Sequence, residues 1–390
     1  MISVKPVIED SLLKVEKWVE VHRYKSYEPF DGLSSYLRPL TFGNIFAERL
    51  LQQLVRQCPL NLRPILGVQA QESTKGRGYM AWGYLKRYKM TKDNQYVYKA
   101  QANLDWLLKN TSPRFEKPSW GNHFDFTSRA GRLRKHEPII VWTSLLGQAF
   151  LDAYEILGNK KYLSTAQEIC SWILDLPRER TRSGNCISYV AYTQSSIHNS
   201  NMLGAAMLAR TSSITGDKEA RKVAKEAMEY SCSRQRPDGS WYYGEGEKTR
   251  WIDNFHTGYN LDSLKCYIDS TGDHDYDNHL RKGFSYFKEN FFEQSGRPKY
   301  YNNRVFPVDI QCASQAIDTL AYFSSYDKDS LKLSVKVAQW TIDNMQDHRK
   351  GHFYYRQLPM VKAKTPMLHW GQATMYKALA HLLEVLLRHE

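Results

Sequence analysis

A glycine followed within a few residues by aromatic side chains recurs along the chain, at Gly121, Gly184, Gly239, Gly296 and Gly351, at intervals of 55 to 63 residues. A second marker runs out of phase with it: Gly158-Asn159, Gly216-Asp217, Gly272-Asp273 and then Asp327. Self-similarity at such a period restricts the chain to an array of supersecondary units. Between the markers the pattern is helical. Residues 139–157 are apolar nearly all round, as a buried helix should be, and 160–176 are amphipathic at a 3.6-residue period. The alternation continues. Buried-type helices are predicted near 77–88, 196–214, 254–270, 307–324 and 367–387. Amphipathic ones are predicted near 42–57, 93–109, 218–233, 275–292 and 329–346. Each Gly-Asn or Gly-Asp pair ends one helix with a left-handed residue and caps the next.

The expected fold class is therefore all-α. Six helical hairpins, none able to bury its inner face alone, close into an (α/α)6 barrel over residues 41–390. Residues 1–40 are expected as an N-terminal extension. An open superhelix of helical pairs is the alternative. All connections from an outer to an inner helix then fall at one end of the barrel, and the glycine-aromatic segments fall in those connections.

Composition narrows the chemistry. Fifty-four Lys and Arg against 41 Asp and Glu give a net charge of +13 in 390 residues, which suits an anionic partner. Tyr is in excess, with 26 copies beside 10 Trp. Such rings suit sugar faces, although more than half should simply fill a large core. The basic residues are spread along the chain, not gathered in one stripe, so nucleic acid is not the expected partner. The segment at Glu9 and Asp10 interrupts any signal-peptide core, and six scattered cysteines without CxxC fit a reducing, cytoplasmic setting. No Walker A, HExxH or GxSxG pattern occurs, and neither metal nor cofactor is expected. Peripheral membrane contact stays open.

The long connections concentrate polar and aromatic groups. The densest stretch is WIDNFHTGYNLDSL, 251–264, in which Asp253, His256 and Asn260 share one helical face. A polar stripe on an inner helix must be satisfied by structure or by ligand. Asp309 and Gln311, and His369 and Gln372, repeat the arrangement on the next inner helices. The expected catalytic groups are Asp253 with His256, Asp309 or Glu137 as counterpart, and Tyr259 as a proton donor should an arginine lower its pKa. Trp241, Tyr242, Trp251 and Trp370 are expected to stack on sugars, with Tyr301, Asn254, His369 and Gln372 as further substrate contacts. Arg132, Arg134 and Arg304, together with the run from Arg129 to Lys135, are expected to hold acidic groups.

Six hairpins with glycine-aromatic returns resemble the six-hairpin glycosidase superfamily over about residues 40–388. WIDNFHTGYNLDSL, preceded by QRPDGSWYYGE, resembles bacterial exopolysaccharide and capsule biosynthesis proteins of this barrel type. That likeness implies an acidic polysaccharide or a lipid-linked oligosaccharide as partner. Phe255-His256-Thr257 is similar to the Tyr-His-Thr segment of glucuronyl C5-epimerases, with Phe255 where that family has its catalytic tyrosine. Gln235 to Trp241 matches the QxxxGxW repeat of terpene cyclases, but no DxDD or DDxxD motif accompanies it. Three functions follow as expectations. Glycoside hydrolysis by two carboxylates leads; uronyl C5-epimerisation or lyase chemistry is the second; non-catalytic glycan binding is the third.

Overall fold

The computed structural model describes residues 4–128 and 131–389. In chain order the main helices are α1 (Lys5–Val21), α2 (Ile45–Gln57), α3 (Thr74–Thr91), α4 (Asn94–Lys109), α5 (Ile140–Leu157), α6 (Lys160–Leu174) and α7 (His198–Thr215). They continue with α8 (Lys218–Cys232), α9 (Asn254–Thr271), α10 (Asp277–Asn290), α11 (Ile310–Tyr322), α12 (Lys328–Met345) and α13 (Thr374–Arg388). A π-helical turn, Leu368–Ala373, heads α13.

The out-of-phase markers act as caps. Gly158, Gly216 and Gly272 end α5, α7 and α9 in the left-handed conformation, at φ 70°, 76° and 68°. Asn159, Asp217 and Asp327 then accept N-terminal amide protons of α6, α8 and α12. The turns from inner to outer helix are consequently short.

Six helices form a closed inner ring. α3 packs on α5, α5 on α7, α7 on α9, α9 on α11, α11 on α13, and α13 back on α3. The architecture is the (α/α)6 barrel that the period predicts. Core side chains such as Phe150, Tyr267, Phe287 and Ile317 are fully or almost fully buried. No described helix is long and apolar enough to cross a membrane.

The outer ring differs in one place from the sequence expectation. α4, α6, α8, α10 and α12 back the inner helices in order, but the sixth outer position belongs to α1, which packs on α13 and α12. The helix at 42–57 is not an outer helix. α2 lies within the first long connection, against the 3-10 turn Asp31–Ser34 and the short strand Phe126–Ser128. Periodicity shows that a helix is amphipathic. It does not show what its apolar face meets.

The recurring glycines explain the closure. At Gly184, Gly239, Gly296 and Gly351 φ lies between 86° and 90°. A Cβ on them would come within 2.2 to 2.7 Å of a carbonyl oxygen of an outer helix, at Glu226, Lys282, Lys336 and Lys14 respectively. Each glycine thus lets its loop lie flat on the next outer helix. The last one lies on α1. The aromatic residues four or five positions later complete a ring of hydrogen bonds. At five of the six inner helices the first amide donates to the carbonyl of a tyrosine in the following connection: Ile140 to Tyr189, His198 to Tyr243, Asn254 to Tyr300, Ile310 to Tyr355, and Leu368 of the π turn to Tyr27, at 2.9 to 3.1 Å. These are orphan donors that a helix start must otherwise leave to solvent.

Candidate active site at the long-loop end of the barrel

All six inner helices point their N-termini at the end covered by the long connections. Their dipoles add positive partial charge there. Asp253 is the N-cap of α9, and its Oδ1 accepts from the backbone N–H of His256 at 3.0 Å. Its Oδ2 lies 2.7 Å from His256 Nδ1 and accepts from the Trp251 indole at 2.8 Å. Nδ1–H donates to the carboxylate, so in the neutral ring Nε2 carries the free lone pair. Tyr243 stacks on Trp251 with centroids 4.4 Å apart and lies 4.5 Å from the His256 ring. The His256 side chain keeps 19% of its surface, enough for a ligand to reach it.

A second carboxylate–histidine pair stands on the π turn. Oε2 of Glu28 lies 2.7 Å from His369 Nδ1, and Oε1 accepts from the His369 amide at 3.0 Å. Burial works to raise the Glu28 carboxyl, but His369 outweighs it and holds the pKa below the ordinary value. Burial lowers His369 in turn. The Trp142 ring lies 4.9 Å from that of His369. Phe255 and Trp370, the chain neighbours of the two histidines, touch at 5.5 Å and so bring the two pairs into one site. Single π turns of this kind re-aim side chains and often mark functional sites. Glu28 lies in the first connection, where no helical period or motif marks it.

Below these pairs Lys75 Nζ donates to Tyr259 Oη at 3.2 Å, and Gln311 Nε2 donates to the same oxygen at 3.0 Å. Burial drives Lys75 down to about 7. It drives Tyr259 well up, and the nearby carboxylates of Asp262 and Asp318 push the same way, so the expected acidic phenol is corrected. Asp309 also departs from its expected part as a free acid. It N-caps α11, accepts from the Trp370 indole at 2.8 Å, pairs with Arg356 and is 0% exposed.

The remaining expected contacts divide. Asn254 is buried at the start of α9, and neither polar atom of its side chain has a protein partner. Tyr301, half-buried, packs on Tyr300 at 4.6 Å, and the exposed Arg304 lies 4.3 Å over its ring. Tyr242 is half-buried under Arg236. Glu137 is half-buried, and burial raises its pKa. Arg134 is exposed. Arg132 is committed to Glu48 at 2.8 Å. Trp241 is corrected outright: it is 2% exposed, its indole donates to the Ser231 carbonyl, and it fills space beside Gly283 of α10. Gln372 holds both backbone groups of Phe353, at 2.7 and 2.9 Å, and so fixes a loop. Arg129 lies outside the described residues.

Further buried polar atoms lack protein partners: Asn199 Oδ1, Asn260 Oδ1 and Gln311 Oε1, within the first two turns of the neighbouring helices α7, α9 and α11, and His123 Nδ1 in the second connection. Desolvation lowers His123 to about 4. Buried polar groups are normally paired, so this cluster fits a ligand rich in hydroxyls.

No family model and no curated sequence matches the chain. Solved structures do. The chain is similar to cellobiose 2-epimerase from Bacillus thermoamylovorans B4167, with 12% identity, a TM-score of 0.61, and coverage of 81% of this chain and 88% of that one. It is similar to a GH76 α-mannanase of Bacteroides thetaiotaomicron, with 13% identity and a TM-score of 0.62, over 83% of this chain and 89% of that one. It is also similar to unsaturated glucuronyl hydrolase from Streptococcus agalactiae, with 13% identity and a TM-score of 0.62, over 97% and 91%. At these identities the likeness shows the fold.

Proposed function

We propose that this (α/α)6 barrel is a carbohydrate-active enzyme that moves a proton at a sugar carbon next to a carbonyl or carboxylate, in the manner of an epimerase or isomerase. One observation carries this reading. The site holds two histidines, each with a buried carboxylate oxygen 2.7 Å from Nδ1: His256, hydrogen-bonded to Asp253, and His369, ion-paired with Glu28. At His256 the carboxylate accepts from Nδ1–H, which sets the tautomer and leaves Nε2 free to take a proton from carbon. His256 takes the proton from one face of the carbon, and His369 returns one to the other. The positive field of six helix N-termini and the net charge of +13 favour an anionic sugar. The sequence resemblance adds surface-polysaccharide synthesis as the pathway, with an acidic glycan or its lipid-linked precursor as substrate. That neighbours of the same fold include a cellobiose 2-epimerase agrees with this chemistry.

Glycoside hydrolysis is the second reading. It has Glu137 in its favour, a half-buried carboxyl with a raised pKa. It lacks an obvious second carboxyl here, because Asp253 and Asp309 are engaged in caps and pairs. Incubation of uronic-acid polysaccharides with the protein in D2O, read by NMR, decides. Deuterium at C5 that disappears in His256→Ala supports proton transfer. New reducing ends without deuterium at C5 would replace it with hydrolysis. Neither signal with any polysaccharide would leave glycan binding alone.

A further inference from the structure

The barrel has a second mouth, at the C-terminal ends of the inner helices, where the connections are short. A cavity of about 500 Å3 opens there, within the size range of small-molecule sites. It runs inward as far as Tyr79 and Tyr259. Its lining is built, not incidental. On α9, Asp262 accepts from Gln315 Nε2 at 2.7 Å through Oδ2, while Oδ1 has no protein partner. The adjoining Ser263 is 2% exposed, and its hydroxyl is also unpartnered. Asp318 faces them from α11, held by Lys377 and by His381 Nδ1 at 2.7 Å. The Trp82 ring is fixed on one side by its indole bond to Asp152 at 2.7 Å, and the Lys377 ammonium lies 4.2 Å from its centroid.

The charges in this mouth are already matched. Lys377 is paired with Asp318, Arg210 with Asp152 at 2.6 Å, and Lys86 with Glu384 at 3.3 Å. No lining cation named here is free for an anion. What the wall offers is aromatic surface together with unpaired oxygens. That combination fits a polyhydroxylated, uncharged ring and not an acid.

We propose that this second mouth is a binding site for an uncharged saccharide, distinct from the site of His256, with Trp82 as its stacking face and Asp262 and Ser263 as its polar contacts. Burial, and then the charge of Asp318, raise the Asp262 carboxyl. Burial acts upward on Asp318 too, but Lys377 and His381 outweigh it and hold that carboxylate ionised. In the proposed site the unpartnered Oδ1 of Asp262 is the protonated oxygen that donates to a sugar hydroxyl, and Asp318 is the acceptor facing it. The inference does not depend on the reaction assigned to the other end.

The test uses the full chain, with cellobiose, maltose and lactose as neutral probes and glucuronic acid as the charged control, followed by saturation-transfer NMR and calorimetry. At about 10 mM probe, tenfold above a 1 mM Kd, at least one neutral disaccharide saturates the wild type and glucuronic acid does not. Trp82→Leu and Asp262→Ala each weaken binding about tenfold, the loss of one good contact. Asp262→Asn retains it, because the amide reproduces one acceptor and one donor. His256→Ala leaves it unchanged. Circular dichroism of each variant separates lost binding from lost folding, and Ser263→Ala serves as the milder second probe. The proposal is overturned if no neutral probe binds, if Trp82→Leu and Asp262→Ala bind normally, or if His256→Ala removes the signal. Equal loss in Asp262→Asn and Asp262→Ala would overturn the donor role.

Discussion

Oδ2 of Asp253 lies 2.7 Å from Nδ1 of His256, and the other oxygen of the same carboxylate caps the helix that carries the histidine. One side chain therefore starts α9 and sets the tautomer of its neighbour. Asp253→Asn keeps the cap acceptor but can present an N–H to the ring. Deuterium exchange into substrate should fall by about 10²-fold or more, as for other oriented bases. The melting temperature should change little. A variant that lost both equally would make Asp253 a structural residue only.

Lys75 gives a stability prediction with a definite sign. Burial lowers it from 10.5 to about 7. Between those values the unfolded chain holds more protons than the folded one, so folding stability rises with pH. The gain is complete above 10.5 and is lost as pH falls through 7. Lys75→Met should flatten this slope in urea unfolding between pH 7 and 10, and should raise stability at pH 7. An unchanged slope would mean that the ammonium finds solvent.

Asp309 and Arg356 form a buried pair, with Trp370 on the same carboxylate. Removing one partner strands the other charge. Arg356→Met should therefore cost about 3–5 kcal/mol in chemical denaturation. Exchange activity should fall with it, because Trp370 adjoins His369. A loss below about 1 kcal/mol would show that water reaches the pair.

Gly351 stands at φ 87° with the Lys14 carbonyl 2.7 Å from where a Cβ would sit. Gly351→Ala should lose about 1–3 kcal/mol through backbone strain and separation of the loop from α1. Limited proteolysis should then cut first near the junction of α1 and the loop that carries position 351. Cleavage elsewhere would place the weak seam at another hairpin.

Local features of the sequence determined the repeat. Gly158 and Asn159 end one helix and cap the next through contacts within a few residues, and such contacts are written in the residues themselves. The apolar periods of α5 and α6 likewise announce an inner and an outer helix, since each reports only how its own surface divides. His256 with Asp253 was legible for the same reason, three residues apart at a helix start. Partnership across the chain was not. Glu28 and His369 are 341 positions apart, and only closure of the ring brings them together. The same closure placed α1, not α2, in the outer wall, committed Asp309 to Arg356, and buried Trp241 between the helix layers. Burial is a property of the assembled layers. It decides which carboxylates are spent on pairs and which groups still face a ligand, so those assignments had to wait for the tertiary structure.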